Sequence, residues 1–111
     1  MINGEYIDAS AALKRIGGNN EFYKKLLNQL LENDHIGLIK NALDSEDSSK
    51  AAREAHSLKG VSANLSLLKL AAVSAALEKE IKDEKDCTGA FNEVKEAYDI
   101  TVEQIKLYVN Q

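Results

Sequence analysis

Not one of the 111 residues is proline. Proline breaks helix interiors, because it lacks a backbone donor and its ring clashes with the preceding turn. Ala, Leu, Lys and Glu, the residues with the best helix propensity, are abundant. The chain is therefore free to build long helices, and its apolar spacing says that it does. Ile7 to Ile16 carries Ala9, Ala12, Leu13 and Ile16 at helical intervals, and Gly17-Gly18 ends that helix. Asn19-Asn20 can cap a second helix, with an apolar stripe of Phe22, Tyr23, Leu26, Leu27, Leu30 and Leu31. Asn33-Asp34 starts a third, with Ile36, Ile39, Ala42 and Leu43. A long helix is expected to begin within Asp44–Ser49 and run to about Leu65. Ser66 can cap the next, whose face carries Leu67, Leu70, Ala71, Ser74, Leu77 and Ile81. After a polar turn at Lys82–Asp86, the last helix carries Phe91, Val94, Tyr98, Val102, Ile105 and Tyr108/Val109. Neither strand alternation nor an internal repeat is visible. Short connections favour antiparallel neighbours. The expected fold is all-α: an up-and-down antiparallel four-helix bundle with additional short N-terminal helices, forming one domain over residues 1–111.

Composition narrows the function. A net charge of −4 without a basic cluster is a poor match to nucleic acid, whose phosphates need Lys and Arg. No apolar run reaches the length needed to span a membrane. Met1-Ile2-Asn3-Gly4-Glu5 lacks the pattern of a secretory leader. A single cysteine, Cys87, excludes an internal disulfide and suits a reducing cytoplasm. His35, His56 and Cys87 stand at unrelated positions and make no metal site. His35 is expected at the surface or in a first helical turn.

The segment from Ala51 to Ser66 is the informative one. On a helix at about 100° per residue, Ala51, Ala55, Leu58, Ser62 and Leu65 fall on one side, opposite His56. Ser62 in that stripe is expected to bond a carbonyl one turn back, and Ser57 to pack at the core boundary. Ala52, Lys59, Gly60 and Ala63 share the outward face with His56, and Arg53 and Asn64 flank it. These small neighbours leave the imidazole open to a second protein or a phosphoryl group. A glycine inside a helix costs about 1 kcal/mol relative to Ala. A free imidazole has a pKa of about 6.5 and in its neutral form offers one nitrogen lone pair, a nucleophile. On spacing alone, an ordinary surface histidine, with Gly60 in a helix–helix contact, stays equally open.

The string Ala55-His56-Ser57-Leu58-Lys59-Gly60-Val61-Ser62-Ala63-Asn64-Leu65 resembles the signature of histidine-containing phosphotransfer (HPt) domains, read His-x-Leu-Lys-Gly-x-Ser/Ala-x-x-Leu. The likeness includes the opening Ile7-Asp8, Leu13–Asn19 and Phe22–Leu27, and the stretch Leu70 to Glu78. The last helix fits by periodicity only. The resemblance implies a cytoplasmic, monomeric helical bundle. It would hold a phosphoryl group on His56 Nε2 and exchange it with an Asp of a receiver domain, in a response regulator or a hybrid histidine kinase. Lys59 would contact the phosphoryl oxygens, Gly60 would clear space for them, and Glu78 would bond the other ring nitrogen. Ala52, Arg53, Ala63 and Asn64 are the candidate docking residues. No cofactor is implied on this chain; Mg²⁺ belongs to the receiver. The protein is then a phosphocarrier without independent turnover. Many family members have Gly where this chain has Ser66, which implies a slightly different turn.

Two other readings compete. A helical adaptor could keep the bundle only to dock a signalling partner. The phosphoacceptor helices of sensor kinases are a poorer match, since they carry Glu or Asp after the histidine and then Pro, where this chain has Ser57 and no proline.

Overall fold

The computed structural model describes residues 5–111; Met1–Gly4, read above for a leader, lie outside them. Six helices follow in order, with no strand among the described residues: α1 (Ala9–Arg15), α2 (Asn20–Glu32), α3 (His35–Asp44), α4 (Ser48–Asn64), α5 (Leu68–Lys82) and α6 (Thr88–Val109). The turns α3–α4, α4–α5 and α5–α6 are short, so these four helices run up and down as a bundle about 41 Å long and 20 Å across. The 13 residues of α2 pack along α6, and Tyr23, Leu27 and Leu30 enter the core from it. No helix of the described residues is long and apolar enough to cross a membrane.

Local chemistry sets the boundaries. Asp8, Asn19, Asp34 and Asp47 cap α1 to α4, each side chain accepting a backbone N–H three residues on. α1, α3, α4 and α5 share one kind of stop. The residue after the cap is left-handed: Gly17 (φ 79°), Glu46 (57°), Ser66 (56°) and Glu84 (57°). In each, the next N–H reaches back to close the end: Gly18 to Leu13 O (2.7 Å), Asp47 to Ala42 O (2.9 Å), Leu67 to Ser62 O (2.8 Å) and Lys85 to Glu80 O (3.0 Å).

Ser66 therefore does not cap the next helix, as its identity suggested. Leu67 holds that position, without a side-chain bond. Ser66 lies one residue earlier, in the left-handed conformation that glycine adopts at no steric cost. Its Oγ accepts from Arg15 Nη2 instead. Around it the N-terminal segment grips the α4–α5 turn. Arg15 Nη2 donates to Ala63 O (3.1 Å) and Asn64 O (3.2 Å). Asp8 N–H donates to Ser66 O (2.9 Å), Lys69 N–H to Glu5 O (3.1 Å), and the buried Tyr23 hydroxyl to Leu65 O (2.7 Å).

Five polar residues are buried with the apolar core: Ser62, Ser66, Ser74, Glu78 and Thr101. The hydroxyls of Ser62, Ser74 and Thr101 have no hydrogen-bond partner. This corrects the expectation that Ser62 bonds a carbonyl one turn back. Ser57, expected to pack, is exposed, and Phe22 of the α2 stripe is 45% exposed. On α6 the buried line runs through Val94, Ala97, Thr101, Ile105 and Tyr108, while Phe91, Tyr98 and Val102 sit at its edges. The aromatic and branched residues drew the expected stripe to one side of the true one.

Candidate functional site

Ala51, Ala55, Leu58 and Ser62 are the buried line of α4. Their spacing fixes the rotation of the helix about its axis and turns His56 outward, with a side chain 64% exposed. Ala63 is exposed beside it, and Ala52, Lys59 and Gly60 are partly so. A Cβ built on Gly60 meets nothing within 4 Å. The reading of Gly60 as a helix–helix contact is thereby removed, since no neighbouring helix needs the missing side chain.

On α5, Leu70, Val73, Ser74, Leu77 and Ile81 face the core. Glu78 follows Leu77 and sits between α5 and α4, its side chain only 8% exposed. A carboxylate this buried needs compensation. It receives three partners, divided between its oxygens. Lys82 Nζ lies 2.8 Å from Oε2, and Lys59 Nζ 3.1 Å from Oε1. His56 Nδ1 lies 3.1 Å from Oε2 and 3.2 Å from Oε1. The Lys82 ammonium, then the Lys59 ammonium and the His56 ring N–H, outweigh the cost of burial and hold the Glu78 carboxyl at a pKa of about 2. At neutral pH Glu78 is thus ionised and can only accept. The hydrogen shared with His56 must then sit on Nδ1, which leaves Nε2 of a neutral ring with its lone pair facing outward.

Sequence reasoning placed His56, Lys59, Gly60 and Glu78, and the fold brings all four together. Lys59 also meets the Glu78 carboxylate, a contact the sequence did not suggest. Lys82 was missed. A Glu followed four residues later by Lys is a helix-pair signal that pointed to it. Arg15 was also missed, and no local pattern announces its reach to the end of α4. Of the docking candidates, Ala52 packs against the core, while Arg53, Ala63 and Asn64 are exposed. Arg53 Nη1 donates to Ser49 Oγ (3.3 Å), and the Ala63 and Asn64 carbonyls are taken by Arg15.

Other chemistry-bearing groups lie elsewhere. His35 is the first residue of α3 and half-buried, and burial lowers its pKa. Cys87 precedes α6; its thiol donates to Lys85 O (3.2 Å), and burial raises its pKa. No group of three His, Cys, Asp or Glu among the described residues is arranged to hold a metal ion. A groove of about 840 Å³ runs between Ile36, Leu43, Ile81 and Phe91, and none of the His56 cluster lines it. The imidazole therefore lies on the open surface, outside that groove.

Residues 25–106 match the family model described as Hpt domain, a span that includes His56, Lys59, Gly60, Glu78 and Lys82. No curated protein and no solved structure matches the chain significantly.

Proposed function

The chain belongs to the Hpt domain family, the histidine-containing phosphotransfer modules of two-component signalling, and on that premise we propose that His56 is its phosphoacceptor, exchanging a phosphoryl group with an Asp of a receiver domain. One observation carries the proposal: an exposed imidazole whose Nδ1–H is committed to an ionised carboxylate, so that Nε2 is the free nucleophile. The Nε2 lone pair forms the N–P bond as the acyl-phosphate P–O bond of the receiver breaks. The bonding pair leaves with the aspartate carboxylate. The ring keeps its Nδ1 proton and becomes cationic, with Glu78 as its counter-charge. Return of the phosphoryl group to an aspartate reverses each of these changes, and no proton has to leave the site.

Lys59, 3.1 Å from Glu78 Oε1, would turn its ammonium to the phosphoryl oxygens. In this reading the space left at Gly60 admits them. Ala52, Arg53, Ala63 and Asn64 would form the surface around the ring on which a receiver docks. The receiver brings Mg²⁺ and the second catalytic carboxylates. This chain acts in the cytoplasm as a monomeric phosphocarrier, modified and restored in each cycle, with no turnover of its own.

The test is to incubate the chain with a phosphorylated receiver and Mg²⁺. The expected product is acid-labile, base-stable phosphate on the chain, lost in His56→Gln. Label that persists in His56→Gln refutes the assignment. A receiver that binds tightly but transfers nothing favours the adaptor reading.

A further inference from the structure

Glu78 is compensated by two lysines that are not equivalent. Lys59 comes from α4, three residues after His56, and lies 3.1 Å from Oε1 with a side chain 36% exposed. Lys82 comes from α5 itself, one turn beyond Glu78, and lies 2.8 Å from Oε2. Only Lys59 stands on the helix that carries the phosphoryl group, beside the open space at Gly60. If Lys59 turns to the phosphoryl oxygens, it releases Oε1. Glu78 would then face a group carrying about two negative charges, held by the His56 Nδ1–H and by whatever remains on Oε2.

We infer that Lys82 is a positioning residue for the transfer: it is the standing counter-ion of Glu78, which frees Lys59 to serve the phosphoryl group. The inference rests on the reading of His56 as phosphoacceptor. The charges close only with Lys82 present. In the phosphorylated state two lysines and the cationic ring balance one carboxylate and a phosphoryl dianion. Without Lys82, Lys59 is needed by two anions at once. Either it stays on Glu78 and leaves the phosphoryl group unscreened, or it moves and leaves a buried carboxylate short of a partner. A protonated Glu78 no longer compels the hydrogen onto Nδ1. The titratable and charged groups bearing on Glu78 are His56 and Lys59 from α4 and Lys82 from α5.

A double-mutant cycle with Lys82→Gln and Glu78→Gln tests this, with transfer from a phosphorylated receiver as the readout. Lys82→Gln is expected to slow transfer about tenfold, the scale of one charge-assisted hydrogen bond. It should also move the acid limb of the pH–rate profile to higher pH. Lys82→Arg should restore both. In the Glu78→Gln background, Lys82→Gln should change the rate less than about twofold, because the group it serves has gone. Lys82 is exposed on α5, so melting curves should show Lys82→Gln and Lys82→Arg folded. Wild-type transfer by Lys82→Gln overturns the inference. So does an undiminished defect in the Glu78→Gln background, which would mean that Lys82 acts on the receiver's own charge. Absence of label on the wild-type chain, or label on His56→Gln, would instead remove the phosphoacceptor reading beneath it.

Discussion

Replacing Gly60 separates what this residue does for the fold from what it does for the reaction. Gly60 lies in the body of α4, at a helical φ, and an added Cβ meets nothing within 4 Å. No clash offsets the gain in helix propensity, so Gly60→Ala should stabilise the chain by about 0.5–1 kcal/mol. For a domain of this size that is a rise of about 2–6 °C in melting temperature. Gly60→Glu keeps most of that gain, since Glu is also a good helix former. In transfer the two substitutions move the other way. The alanine methyl narrows the space one turn from the ring. The glutamate fills it and adds a like charge worth about 1–2 kcal/mol against a phosphoryl dianion in high dielectric. The assay pairs melting temperature with the rate of transfer from a phosphorylated receiver. Both variants should melt higher; Gly60→Ala should transfer more slowly and Gly60→Glu should fail to transfer. A Gly60→Glu chain that transfers at the wild-type rate refutes the argument for an open face. A Gly60→Ala chain that melts lower refutes the packing on which the argument stands.

Three further outcomes follow from the geometry. Glu78 has a folded pKa of about 2, below its usual 4.5, so its stabilising contribution is full above pH 5 and is lost as pH falls towards 2. Urea midpoints taken across that window should fall more steeply for the wild type than for Glu78→Gln. Thr101 Oγ1 is buried without a partner; Thr101→Val removes the unpaired hydroxyl at constant shape and should raise stability by about 1–2 kcal/mol in urea denaturation. Glu84 is left-handed at the exposed end of α5; Glu84→Gly should add about 0.5–1 kcal/mol, measured in the same way.

The helices were legible because capping residues and apolar spacing act within a few residues of one another. Asn19 and Asp34 each mark a start that the structure keeps. The outward turn of His56 was legible for the same reason, since four small or apolar residues on α4 decide it. The errors came from residues whose chemistry suits two places. Ser66 can cap a helix or end one, and the bond from Leu67 N–H to Ser62 O settles the matter one residue away from the expected position. Thr101 and Ala97 were passed over for larger neighbours, because volume stands out in a sequence and the axial rotation of α6 does not. Glu78 entered through family likeness, and its link to Lys59 depends on the register of α4 against α5, which no local pattern encodes. Lys82, by contrast, was visible one turn away and went unread.

The grip of the N-terminal segment on the α4–α5 turn bears on where this domain can be cut. The family match opens at residue 25, yet Glu5, Asp8, Arg15 and Tyr23, which close the turn, all precede it. A fragment trimmed to the matched span would keep every reactive group and lose the clasp at the far end of the helix pair that carries them. Boundaries drawn from likeness would therefore fall inside the set of residues that hold the helix pair together.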